Sequence, residues 1–249
     1  MRRYFIYLSY NGKNYCGWQV QPNGMTVQQK LEESLSILLR KQISIVGAGR
    51  TDSGVHAACM VAHFNFETAI DCFLLSKKMN GILPEDIAVS RIVEVIPDAH
   101  ARFDAVSRTY KYYITLQKNP FMENFAYKIP FLLDFELMNE AAKVLSDYED
   151  FTSFSKLHSN TRTNNCKVMH ARWAKEDDEI WVFTIQSNRF LRNMVRAIVG
   201  TLLEVGRRKI TIEDFKKTIE QKDRNIAGTS VPAQALFLVD IVYPAYLFL

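Results

Sequence analysis

Gly47 to Ala57 reads GAGRTDSGVHA. Gly47, Gly49 and Gly54 let the backbone take positive φ or approach a ligand closely. Between them stand a guanidinium, a hydroxyl and a carboxylate: Arg50, Thr51 and Asp52. An apolar run ends at Val46 and another extends from Val55 to Phe66. The charged tripeptide therefore sits on a turn between two strands, where a sheet can aim it. The stretch is not a phosphate loop. In GxGxxG the third glycine would fall on Asp52, and GxxxxGK[ST] begins at Gly49 and Gly54 but continues with Val55 and His56. Local chemistry alone favours a tight turn in which Asp52 bonds its own backbone.

The flanks follow from periodicity. Tyr4 to Ser9 reads as a buried strand, and Met1-Arg2-Arg3 before it lacks the small-residue site of a signal peptide. Thr26 caps a helix, with Gln29 closing a capping box and Val27, Leu31, Leu35 and Leu38 as its apolar stripe. Ile43 to Val46 enters the turn. On the exit strand Ala58, Met60, Ala62, Phe64 and Phe66 alternate onto one face. Asp71 caps a helix stopping at Gly81, and Ile87 to Val95 returns as a strand.

The second half repeats this β-α-β-β-α-β order. A strand covers Thr109 to Leu116 and a helix Glu136 to Leu145. A hairpin pairs Lys167–Ala174 with Ile180–Gln186 across Glu176-Asp177-Asp178-Glu179. A long helix runs from Phe190 to Val205, another begins at Thr211, and a strand from Leu236 to Tyr243 closes the chain. The expected fold class is α+β: two ferredoxin-like βαββαβ halves with antiparallel sheets, residues 1–104 and 105–249. RNA-recognition modules share the strand order, but no RNP1-type aromatic motif is present.

Composition sets bounds. Hydrophobic residues make up 48% and charged residues 23%, ordinary for a globular protein. Net charge is +4, too small to establish nucleic-acid binding without a local arrangement of cations. Cys16, Cys59, Cys72 and Cys166 form no CxxC pair, so neither a zinc site nor a disulfide framework is expected, and a cytoplasmic setting fits. No apolar segment approaches the ~18 residues of a membrane span. His56, His63, His100, His158 and His170 show no metal-ligand spacing, so no metal is expected.

Cations and aromatics of the second half carry the remaining clues. Arg189, Arg192 and Arg196 recur at helical spacing, beside a face of Leu191, Met194, Val195, Ile198 and Leu202. Arg189 and Arg192 read as a solvated basic stripe. Arg196 lies among Val195, Ala197, Ile198 and Val199, where a long cation calls for an anion. In SRTYKYYI, Tyr110 and Tyr112 share one strand face and Lys111 and Tyr113 the other; core packing is the default for each.

GAGRTDSGVHA resembles the active-site loop of the tRNA pseudouridine synthase A family. Four further blocks resemble that family in its order: YNGKNYCGWQVQPN (Tyr10 to Asn23), HARFDAVSRTYKYYI (His100 to Ile114), DFTSFSK (Asp150 to Lys156) and FLRNMVRAIVGTLLEVG (Phe190 to Gly206). The resemblance covers nearly the whole chain. It implies the pseudouridine synthase fold, with the halves joined around a central RNA-binding cleft. It implies a cofactor-free isomerase acting on the anticodon stem-loop of tRNA, as a homodimer. Asp52 becomes the catalytic residue and Arg196 its partner across the cleft, holding the carboxylate ionised. Tyr110, first tyrosine of a basic-x-Tyr-x-Tyr pattern begun by Arg108, packs on the target base. Arg50 fills the gap left by the extruded nucleotide. Ser53 stands where the family more often has alanine, and Ala235 where it usually has glycine. The reading from another class is a non-catalytic RNA-binding or folding protein; a small-molecule hydrolase lacks a nucleophile-base motif.

Overall fold

The computed structural model describes residues 1–22, 24–156, 162–177 and 179–249; Asn23, His158 and Asp178, named above, lie outside them. The chain forms two compact units, Met1–Ser107 with Leu238–Leu249, and Arg108–Phe237. These differ from halves of 1–104 and 105–249 because the chain's end returns to the first unit. There the ring of Tyr243 meets Phe5 edge-on at 5.0 Å and its hydroxyl donates to the Ala101 carbonyl at 2.5 Å. The Leu247 carbonyl accepts from Ile96 N–H at 3.0 Å.

The first unit runs β1 (Arg2–Tyr10), α1 (Val27–Leu39), β2 (Val46–Gly47), β3 (His56–Phe66), α2 (Cys72–Ile82) and β4 (Ile87–Val95). Its antiparallel sheet has the order β4-β1-β3, with β2 on the edge of β3. Tyr4 to Leu8 are all buried. An unbroken apolar run suits a strand covered on both faces. Among the described residues no helix is long and apolar enough to cross a membrane.

Local chemistry adjusts the expected ends. Thr26 caps α1 through Gln29 N–H, but the reciprocal half of the box is missing because the Gln29 amide donates to Glu33 at 2.9 Å. The strand expected from Ile43 shrinks to Val46–Gly47 because α1 claims the residues before it. Glu32 accepts from Ile45 N–H at 2.9 Å, the Gln28 amide donates to the Ile45 carbonyl at 3.1 Å, and Ser36 accepts from Ile43 N–H at 2.9 Å. Asp71 caps α2, which continues through Gly81 to Ile82.

The second unit comprises β5 (Ser107–Thr115, in this unit from Arg108), β6 (Tyr127–Lys128), α3 (Phe135–Lys143), β7 (Val168–Lys175), β8 (Ile180–Ser187), α4 (Met194–Gly206) and α5 (Ile212–Glu220). β9 (Leu236–Val242) contributes its first two residues. β5, β8 and β7 pair antiparallel in that order, and β6 lies parallel to β5. α4 is buried almost all round, as its apolar sequence requires. It begins at Met194, not Phe190. Asn193 takes a left-handed conformation (φ 67°) and its amide bonds the Ser230 hydroxyl at 2.5 Å, which breaks the helix there. Arg189 and Arg192 therefore precede the helix and share no helical stripe with Arg196.

His63 on β3 is a buried titratable group. Its Nδ1 accepts from Ala101 N–H at 3.1 Å and its ring meets His100 edge-on at 4.7 Å. Burial first, then the neighbouring His100, pushes its pKa down to about 4. Between that value and its ordinary 6.5 the unfolded chain binds the proton and the folded chain does not. This contribution is whole above pH ~6.5 and is lost as pH falls toward 4. The native Tm should therefore drop through this window more steeply than that of His63→Gln, as followed by thermal melts at several pH values.

Candidate active site

Ala48 N–H donates to the Val61 carbonyl at 2.7 Å, carrying the β2–β3 pairing one residue into the Gly47–Ala57 loop. Ala48 is buried and Arg50 exposed. Thr51 turns inward, and its hydroxyl shares a buried 2.8 Å hydrogen bond with the hydroxyl of Tyr10. The Thr51 carbonyl accepts from Trp18 N–H at 3.3 Å. Asp52 is half-buried. Behind it the Tyr15 carbonyl accepts from the Ser53 hydroxyl at 3.1 Å and from Gly54 N–H at 3.4 Å. Val55 N–H closes the turn on the Asp52 carbonyl at 3.2 Å, and buried His56 accepts at Nδ1 from Gly12 N–H at 3.0 Å.

The tight turn expected from local chemistry forms, closed through the backbone carbonyl of Asp52. The turn orders the backbone, and the segment Tyr10–Trp18 holds both flanks of Asp52. Gly17 makes that contact possible: it sits at φ +87°, and a Cβ there would run into the Thr51 carbonyl oxygen. Ser53 supplies a hydroxyl bond that the commoner alanine cannot.

The other predicted residues belong to the second unit. Tyr110 is half-buried near the start of β5, its ring edge-on to Phe190 at 5.1 Å. Tyr112, two residues on, is fully buried and donates to the Pro232 carbonyl at 3.0 Å. One strand face thus grades from accessible aromatic to core aromatic. Arg108 donates to the Asn188 carbonyl at 2.8 Å, so β5 is tied to the residues leading into Arg189 and Phe190. Arg189 donates to the Thr163 carbonyl at 3.3 Å, and Arg192 is exposed.

Arg196 lies in the first turn of α4, half-buried. Its Nε donates to the Val231 carbonyl at 2.7 Å, and its own carbonyl accepts from Val231 N–H at 3.2 Å. Arg224 secures the same segment, reaching the Ala227 and Gly228 carbonyls at 3.2 Å each and the Ser230 hydroxyl at 2.8 Å. Ala235, where glycine is usual, is fully buried at the end of a 3₁₀ turn, Ala233–Ala235. Sequence reasoning missed Phe190 as the ring beside Tyr110 and Val231 as the anchor of Arg196. An aromatic in the quoted block signalled the first; nothing local signalled the second. Among the described residues no group of three or more His, Cys, Asp or Glu side chains is placed to hold a metal ion.

Comparison with known proteins then identifies the family. The profile of a family described as tRNA pseudouridine synthase matches residues 6–104 and 141–244. The chain is 66% identical over 249 residues to a protein named tRNA pseudouridine synthase A from Parabacteroides distasonis, covering 100% of this chain and 98% of the relative. Proteins of the same name from Bacteroides fragilis and Bacteroides thetaiotaomicron are each 58% identical, covering 100% of this chain and 99% and 93% of the relatives. The chain belongs to the tRNA pseudouridine synthase family, a family of isomerases, and has its fold.

The glycine contacts yield a paired expectation. Gly17→Ala places a Cβ at a left-handed position and against backbone, and should cost at least ~2 kcal/mol. Gly49→Ala meets nothing within 4 Å and should stay within about 0.5 kcal/mol of native. Denaturant titration of both variants measures the contrast.

Proposed function

We propose that the protein isomerises uridine to pseudouridine in the anticodon stem-loop of tRNA, with Asp52 as its catalytic residue. The observation that carries this reading is the half-buried Asp52 carboxylate on a loop hydrogen-bonded on both flanks, in a chain of this family. The reaction breaks the N1–C1′ bond, turns the loosened uracil and joins C5 to C1′. Nothing is exchanged with a second molecule except the proton leaving C5, so a positioned carboxylate, a shaped pocket and exclusion of water suffice. Asp52 either removes the 2′ proton to give a glycal or attacks the substrate as nucleophile at C1′ or C6.

A stacked base cannot react, so the nucleotide is flipped out at a cost of a few kcal/mol. In this reading exposed Arg50 fills the vacated space and Tyr110, steadied by Phe190, receives the base on its ring. Arg196, held through Nε by the Val231 carbonyl, supplies a positive charge to the reaction. Arg108, Arg189 and Arg192 meet backbone phosphates, which position the RNA without reading its bases. The working unit is a homodimer in the cytoplasm.

Joining C5 to C1′ expels the hydrogen at C5. With tRNA tritiated at that carbon, the native chain should release label and Asp52→Asn, folded to the same Tm, should release none; sustained release by that variant refutes the assignment. Binding without release by the native chain would mark an RNA-binding protein instead. Arg196→Ala should slow release at least about tenfold. It should also cost ~1.5–3 kcal/mol of stability, since it deletes a charge-assisted bond to a carbonyl. An unshifted melt would dissociate Arg196 from the packing of α4.

A further inference from the structure

The segment that backs the Asp52 loop is itself held from one point. Asp86, on the connection between α2 and β4, takes three hydrogen bonds from Asn11–Tyr15. Its carbonyl accepts from Asn11 N–H at 2.9 Å, Oδ2 from the Asn14 amide at 3.2 Å and Oδ1 from the Tyr15 hydroxyl at 2.5 Å. Tyr15 is buried, and burial first, then the Asp86 carboxylate, holds its phenol above the ordinary range. It is therefore a permanent donor. The backbone of the same residue faces the loop: its carbonyl receives the Ser53 hydroxyl and Gly54 N–H. One residue thus couples an acid on the connection after α2 to the two residues that follow Asp52.

We propose that Asp86 and Tyr15 are positioning residues for Asp52, fixing the Tyr15 carbonyl so that the carboxylate stays aimed. This rests on reading Asp52 as the catalytic residue. Neither side chain needs to touch RNA. Their loss acts on the chemical step, because a displacement of ~1 Å at a reacting group lowers rate up to about a hundredfold while leaving affinity intact.

The test is single-turnover label release from tRNA tritiated at uridine C5, with enzyme in excess, alongside the tRNA Kd of each variant. Tyr15→Phe and Asp86→Ala should lower the release rate about 10- to 100-fold, with Kd within about twofold of native. Asp86→Asn, which keeps an acceptor oxygen, should return to within about threefold of native. A native rate in either deletion variant, a loss confined to Kd, or an Asp86→Asn variant as slow as Asp86→Ala would each overturn the proposal. If Asp86→Ala does not fold, Tyr15→Phe, which removes a single oxygen, decides alone. Asp52→Asn separates the two layers. Release by that variant refutes the catalytic reading, whereas an inert Asp52→Asn beside a fully active Tyr15→Phe refutes only the positioning.

Discussion

Two hydrogen bonds to the carbonyl of Tyr15 and one from Trp18 N–H to the carbonyl of Thr51 hold the residues on either side of Asp52. The constraint behind this arrangement is general. Full burial of a carboxylate is costly, so burial is a poor anchor for an acid on a surface turn. Its neighbours carry the order instead. Thr51 is buried against Tyr10, while Arg50 beyond it is exposed and Asp52 half-buried. Gly12 and Gly17 of the backing segment serve close backbone approach, against the Val55 and Thr51 carbonyls.

The second unit treats its candidate cation in a related way. α4 is surrounded by apolar contacts, and Arg196 escapes that environment because it stands in the first turn. There the Val231 carbonyl takes its Nε and the Val231 N–H takes its backbone carbonyl. The segment making these bonds is locked to α4 elsewhere, with Gly228 N–H on the Thr201 hydroxyl at 3.0 Å. It is also locked to β5 by the Tyr112 bond to Pro232. A guanidinium fixed at Nε has lost much of the rotamer freedom that a catalytic contact would otherwise have to freeze.

The order of strands and helices was legible because it rests on local periodicity, and the Asp52 loop was legible because its turn chemistry is local. What escaped was set by partners distant in the chain. The start of α4 is decided by Asn193 bonding Ser230, which no window around Phe190–Gly206 contains. The shortened β2 follows from Gln28, Glu32 and Ser36 competing for the backbone of Ile43 and Ile45, a contest that apolar patterning does not register. The compact units differ from the expected halves because residues 238–249 return to the first unit. There Tyr243 meets Phe5 and Ala101, and the Leu247 carbonyl meets Ile96 N–H. For the candidate site, residue types were legible and their supports were not. Tyr15 and Trp18 lay in a block quoted for its resemblance, yet their hydrogen bonds to the loop are made through their own backbone atoms, which side-chain identity does not reveal.

That competition between helix side chains and strand backbone recurs, and it bears on which surfaces are left for a partner. Asn80 of α2 donates to the Val89 carbonyl at 2.8 Å and accepts from Val89 N–H at 2.7 Å. Asn139 of α3 does the same to Trp173 on β7, at 3.0 and 2.7 Å. Gln28 and Glu32 of α1 divide the two roles at Ile45. In each case the helix bonds the strand segment that follows it in the chain. An amide offers both a donor and an acceptor, so one asparagine can occupy both backbone groups of a strand residue. Unpaired strand edges invite pairing with other chains. Engaging Val89 and Trp173 from the preceding helix therefore weakens these strands as templates for strand addition. The surfaces left for a partner are then loops and side chains rather than strand edges.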